Sequence, residues 1–327
     1  MKHKYRLPIL RPSTRAFISE ARRTPGYSWF DWLHGYVYIR WPYFYITIGV
    51  GEHPLARLLG PPLGRLLRLF RRRATTDRPV RSRPQPSAQR PERITFADTY
   101  HGKVIPLAAA RRLITLEQEI SLTNLEQVIP YARARDIVLH NPAHIVVLQC
   151  PCRTARANPC QPLDVCLIVG EPFASFVAEH HPSRARWISS ADAVEILHAE
   201  HERGHVHHAF FKDAMLGRFY AICNCCACCC GAMQAMRHGI PMLASSGYLS
   251  QVDEGGCTGC GECVDFCQFG ALSVADGVAV VDTGHCMGCG VCVSRCAQAA
   301  ISLRREPGHG EPLEIYELLE ARGVGQI

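Results

Sequence analysis

The spacing of apolar and polar positions divides this chain into segments of different character. SSADAVEILHAEHERG (residues 189–204) places Ala193, Ile196 and Leu197 on one face at helical spacing, with Ser190 as cap and Gly204 as terminator, and predicts a helix. Thr123 is placed to cap another helix, from Asn124 to about Arg135. The short apolar runs IVVLQ (145–149) and LDVCLIV (163–169) predict buried strands, and HVHHAFF (205–211) and FYAIC (219–223) predict two more. Residues 94–247 therefore read as an α/β domain.

The N-terminal part has a different pattern. Residues 29–50 are rich in Trp, Tyr and Phe but are interrupted by Asp31, His34, Arg40 and Pro42, and the longest uncharged run, Trp41 to Gly51, is 11 residues. A membrane-spanning helix needs about 20 apolar residues, so the segment is expected to be strand and turn packed on the protein, or to lie at a membrane interface. In residues 61–73, Pro62 suits a first helical position. Leu63, Leu66 and Phe70 then share one face and Arg65, Arg68 and Arg72 another. This basic amphipathic helix is suited to an anionic membrane, to a partner, or to the surface of its own domain. Residues 74–93 are Pro, Arg and Ser with almost nothing to bury, and read as a disordered linker.

Charge sharpens this division. The net charge of +7 conceals +14 in residues 1–93 and −7 in the remainder, so the two parts are expected to face different partners. The linker arginines have no interleaved aromatics and no recognisable binding fold around them, so no nucleic acid is expected. The opening residues lack the apolar core and cleavage site of a secretory signal, which predicts a cytoplasmic chain, at most peripheral on the inner membrane face. Thiols there are kept reduced, so clustered cysteines read as metal ligands or redox centres and not as disulfides.

All 18 cysteines fall between Cys150 and Cys296. Eight of them form one unit used twice: Cys257, Cys260, Cys263 and Cys267 recur 29 residues later as Cys286, Cys289, Cys292 and Cys296, each as C-x2-C-x2-C-x3-C. Three thiolates spaced by two residues wrap a loop around one cubane. The fourth starts a helix leading to the other cluster. This assigns Cys257, Cys260, Cys263 and Cys296 to one cluster and Cys286, Cys289, Cys292 and Cys267 to the second. A zinc-ribbon reading accounts for two cysteines of each four and ignores the duplication.

The repeat resembles the bacterial two-[4Fe–4S] (dicluster) ferredoxin family over about 50 residues. That family usually has proline after each fourth cysteine, where this chain has Gln268 and Ala297. The resemblance implies an α+β chain whose C-terminal unit is a ferredoxin-like duplicated βαβ fold binding two [4Fe–4S] clusters. Its strands are expected near 248–253, 272–274, 279–282 and 301–303, with a tight turn at Asp276-Gly277, and one-electron transfer is the implied activity. The expected organisation is a basic aromatic region with an amphipathic helix (1–73), linker (74–93), cysteine-rich α/β domain (94–247), dicluster domain (248–305) and helical tail (306–327).

Ten cysteines remain. Cys150, Cys152, Cys160 and Cys166 form one group, and Cys223, Cys225, Cys226, Cys228, Cys229 and Cys230 crowd into the other. Six thiols so close are an oxidation liability unless something holds them. They read as one or two additional [4Fe–4S] clusters, a structural zinc site, or unmetallated regulatory thiols. The pairing of CPCR with CNCCACCC looks like a group of iron–sulfur proteins of anaerobic bacteria in which a cysteine-rich module precedes a dicluster domain. His205, His207 and His208 read as exposed strand residues, with ligand or proton-donor roles as the alternative. Arg153 and Arg156 read as surface residues or as charges offsetting a cluster.

Three functions follow. The first is an electron carrier or oxidoreductase subunit serving redox-partner proteins, with no catalytic residue of its own. The second is an oxidoreductase in which the module from Cys150 to Cys230 reduces a disulfide or small substrate. The third is a redox sensor or iron–sulfur assembly protein. Neither a Gly-rich nucleotide loop nor a Ser/His/Asp constellation is present.

Overall fold

The computed structural model describes residues 10–49, 100–131 and 134–323. The expected helix over 61–73 and the linker over 74–93 lie outside the described residues.

Three helices open the described chain: α1 (Pro12–Arg23), α2 (Trp29–Arg40) and α3 (Pro42–Gly49). The expectation of strand and turn over residues 29–50 is corrected here. Aromatic residues favour strands, but local signals outweigh that preference. Ser28 Oγ accepts from the Asp31 amide at 3.1 Å, and the Asp31 carboxylate accepts from the Ser28 amide at 3.0 Å, a capping box that starts α2. Pro42 then begins α3 where its missing N–H costs nothing. Among the described residues no helix is long and apolar enough to cross a membrane.

The middle of the chain runs β1 (Tyr100–Ile105), α4 (Leu107–Ile114), β2 (Ile120–Leu122), β3 (Ile137–Gln149), α5 (Pro151–Thr154), β4 (Asp164–Glu171) and α6 (Phe173–His180). It continues through β5 (Ala185–Ile188), α7 (Ser190–Glu202), β6 (Val206–Lys212), β7 (Arg218–Cys225), α8 (Gly231–Arg237) and β8 (Leu243–Ala244). The strands form one sheet in the order β2-β3-β4-β7-β6-β1-β8, with β5 also paired to β3. All pairings are antiparallel except β1 with β8.

Helices cover both faces of this sheet. Val146, Leu148, Ile168, Phe210 and Tyr220 point to a core shared with Phe17 of α1, Trp32 and Ile39 of α2, Phe173 and Phe176 of α6, and Met233 of α8. Ile145, Val147, Leu167, Phe211 and Phe219 point to the opposite core, which takes Leu113 of α4 and Leu197 of α7. Strand alternation thus separates two apolar layers, and both must be covered.

Among the described residues, the helix expected from Asn124 is absent. Asn124 has φ +57°, and its amide binds Asp136 Oδ1 at 2.9 Å, so the segment turns back towards β3. The helix over residues 189–204 is present as α7, capped by Ser189 rather than Ser190, again with a capping box to Asp192.

The chain ends with β9 (Tyr248–Val252), α9 (Glu262–Asp265), β10 (Leu272–Ala275), β11 (Val278–Val281), α10 (Val291–Arg295), β12 (Ile301–Arg305) and α11 (Ile315–Ala321). β9 pairs with β12 and β10 with β11, the latter through Asp276 and Gly277, both at positive φ. Leu319 of α11 returns to the second core.

His205, just before β6, and His207 and His208 within it are buried, which corrects the reading of them as exposed. Burial lowers the pKa of both His207 and His208 to about 3, with neighbouring histidine charge adding to the effect. Both would titrate near 6.5 in the unfolded chain. Between those values the unfolded state binds protons that the folded state refuses, so stability falls as pH drops below 6.5. Replacing His208 by Phe, a similar shape packed 5.8 Å from Phe210, should remove up to one proton from this linkage. Anaerobic urea unfolding between pH 6.5 and 5 should then show a slope shallower by about 1.4 kcal/mol per pH unit. An unchanged slope would contradict it.

Candidate metal centres

The central strands β4 and β7, and the loops that follow β3 and β7, gather the ten upstream cysteines into two sets. Cys150 and Cys152 sit at the start of α5, Cys166 lies in β4, Cys223 and Cys225 lie in β7, and Cys230 caps α8. Cys166 and Cys223 face each other across the β4–β7 ladder. Cys150 neighbours Cys152 and Cys166, Cys166 neighbours Cys223, and Cys225 neighbours Cys230. All six lie on the first core's side of the sheet.

The other four gather beside them. The sulfurs of Cys160, Cys226, Cys228 and Cys229 all lie within 4.8 Å of one another, with Cys160 and Cys228 at 3.0 Å. Four thiolates around one zinc at about 2.3 Å stand about 3.8 Å apart, so this spacing matches a single tetrahedral ion. Burial pushes the Cys160 thiol up to about 11 and the Cys226 thiol higher still. Ionising Cys160 and Cys226 therefore calls for a cation's charge.

A cavity of about 200 Å³ adjoins the first set. Cys150, Cys152, Cys166, Cys223, Cys225 and Cys230 all line it, and Cys226 and Cys229 border it. Tyr38, Tyr45 and Ile46 close it from the N-terminal helices, and Lys212 enters from β6. Lys212 is fully buried, with Nζ 4.8 Å from the Tyr38 ring centroid, and burial lowers its pKa to about 8.

Arg153 is buried as well, not at the surface. Its guanidinium binds Glu200 Oε2 at 2.5 Å, the Pro162 carbonyl at 2.5 Å and the Asn224 carbonyl at 3.0 Å. It thereby ties the loop of Cys150 and Cys152 to β7 between Cys223 and Cys225. Burial pushes the Glu200 carboxyl up, but the hydrogen bond from His205 and the Arg153 charge outweigh it and hold the pKa below the ordinary range. Arg156 donates to the Cys229 carbonyl at 3.3 Å. Sequence reasoning missed Lys212 and Glu200. Lys212 gives a signal in hindsight, a lysine ending an otherwise apolar strand.

In the C-terminal unit the thiols are spread more widely, since no three of them close to within 4.8 Å. Cys263, pushed up by burial, also feels the charges of Cys260, Cys257 and Cys296. Burial raises Cys292 to about 11, with Cys286 and Cys267 among its charged neighbours. Gly259 and Gly288, 29 residues apart, both have φ +63°. A Cβ on either would come within about 2.2 Å of a backbone oxygen, of Gly277 and Tyr248 respectively. The Ala271 amide donates to Cys267 Sγ at 3.2 Å, and the Ala300 amide to Cys296 Sγ at 3.3 Å, the same bond in both halves.

Two contacts break that symmetry. Ser250 Oγ lies 3.1 Å from Cys292 Sγ and 3.7 Å from Cys286 Sγ, whereas its counterpart 29 residues on is Ala279. Gln268, which follows Cys267, accepts through Oε1 from the Ala227 amide at 2.8 Å. That bond joins the dicluster unit directly to the loop carrying Cys226, Cys228 and Cys229.

The geometry defines a chain built to hold metal through thiolates. Residues 249–297 match the family model of the 4Fe-4S dicluster domain, about a seventh of the chain. No curated protein and no solved structure matches.

Hydrogen bonds to ligand sulfur stabilise the reduced state and raise the potential. Ser250→Ala should therefore lower the potential of a cluster seated beside Cys292 by roughly 20–60 mV, the one-electron equivalent of about 0.5–1.5 kcal/mol. The other cluster should stay where it is. A potentiometric titration followed by EPR checks this, and equal shifts in both clusters would contradict it.

Proposed function

We propose that this chain is an iron–sulfur electron-transfer protein or a subunit of a redox complex. Its two [4Fe–4S] clusters are held by Cys257, Cys260, Cys263 and Cys296, and by Cys286, Cys289, Cys292 and Cys267. The observation that carries the reading is the dicluster match over residues 249–297, a stretch that contains both cysteine repeats. Four-thiolate ligation leaves each iron full, which suits outer-sphere transfer of single electrons rather than substrate binding.

The two clusters face different surroundings. Cys260 is exposed, whereas Cys286 and Cys292 are buried. Met287 and Phe269, beside the second set, pack against the first core of the sheet. Electrons would enter at the exposed cluster and pass inward, and the Gln268–Ala227 bond supports the upstream module as the next station.

Cys160, Cys226, Cys228 and Cys229 hold one further ion, zinc by their spacing. It would fix the loop on which Gln268 docks. The excess of positive charge in residues 1–93 supports attachment to an acidic redox partner or to an anionic membrane on its cytoplasmic face.

EPR of the anaerobic, dithionite-reduced full chain tests this reading. Two magnetically interacting reduced clusters are expected, with Cys260→Ala and Cys289→Ala each abolishing a different one. A colourless protein carrying zinc at these cysteines would refute the proposal.

A further inference from the structure

We propose that the cavity walled by Cys150, Cys152, Cys166, Cys223, Cys225 and Cys230 is the seat of a third, polynuclear iron–sulfur cluster. The inference rests on the electron-transfer reading above and extends it to a site outside the dicluster domain.

The first ground is space. Buried cysteines in an ordinary core act as small apolar residues and pack without gaps. Here six thiols from three separate stretches of chain, with Cys226 and Cys229 beside them, border a void of about 200 Å³. Engineered cavities of about 150 Å³ already admit benzene. A single ion would leave most of this volume empty, and the spacing for a single ion is found next door, at Cys160, Cys226, Cys228 and Cys229.

The second ground is chemistry. The lining includes Lys212 and, among the described residues, no carboxylate, while the Arg153 charge is ion-paired with Glu200. A thiolate-ligated cluster carries net negative charge, and soft thiolates select iron–sulfur centres over harder ions. The third ground is connection. Cys226 and Cys229 border the cavity, and the intervening Ala227 is bonded to Gln268, next to Cys267. The seat thus adjoins the inner cluster of the dicluster unit, and a single electron could pass from one to the other with no change in ligation.

The test is the metal content of the full chain made and purified anaerobically. We expect about twelve irons and twelve acid-labile sulfides per chain, against about eight for the dicluster unit alone. In Cys166→Ala/Cys223→Ala, about four of each should be lost while both dicluster EPR signals persist. Eight irons in the wild type, or twelve retained in the variant, would overturn the inference. The wild-type count decides the matter even if the variant does not fold. Eight irons with intact dicluster signals would refute the third cluster and spare the electron-transfer reading, whereas absent dicluster signals would refute the latter. Eight irons together with an organic anion, or with a disulfide among these six cysteines, would also count against a cluster.

Discussion

Thiolate charge buried out of water is the constraint on which this molecule turns. A single ionised group in a low-dielectric interior is costly, and several together are prohibitive unless a cation lies among them. This chain buries or half-buries most of its cysteines, and burial pushes Cys160, Cys226, Cys289 and Cys292 upward. Metal is the natural compensation, and the surrounding structure is arranged for it. Backbone amides point at Cys257, Cys267 and Cys296, and a hydroxyl points at Cys292.

The rest of the fold can be understood as support for that arrangement. The sheet separates two apolar cores, and the cysteines line only the first, where the N-terminal helices close over them. Arg153 anchors the loop of Cys150 and Cys152 through an ion pair that is itself buried. Breaking such a pair on one side typically costs 3–5 kcal/mol, so the loop is held firmly. The dicluster unit is docked by its second binding loop: the Ser246 amide binds the Met287 carbonyl at 3.1 Å and Ser246 Oγ the Gly288 carbonyl at 2.7 Å. The absence of a side chain at Gly288 is what lets these elements touch.

Legibility from sequence followed the range of the interactions. The duplicated cysteine spacing is local, and the family resemblance it carries implied the four strands of residues 248–305 and the turn at Asp276-Gly277 where they are found. The strands at residues 145–149 and 163–169 were readable because continuous apolar runs can only be buried. Local signals also misled. The aromatic run after Trp29 resembled strand because its capping box was overlooked, and Asn124 resembled a helix start although its amide is bound to a residue twelve positions away. The division of the ten upstream cysteines was hidden altogether. Cys160 joins Cys228 across 68 residues, and Cys166 faces Cys223 through sheet pairing, which no spacing rule conveys. His207, His208 and Arg153 were misjudged for the same reason, since burial depends on what packs above them.

The most direct test of the central claim is anomalous diffraction, at the iron and zinc absorption edges, from crystals of the full chain grown without oxygen. The account predicts iron enclosed by the eight C-terminal sulfurs in two separate groups, with the zinc signal confined to Cys160, Cys226, Cys228 and Cys229. Zinc, with no iron, between the C-terminal sulfurs would contradict it.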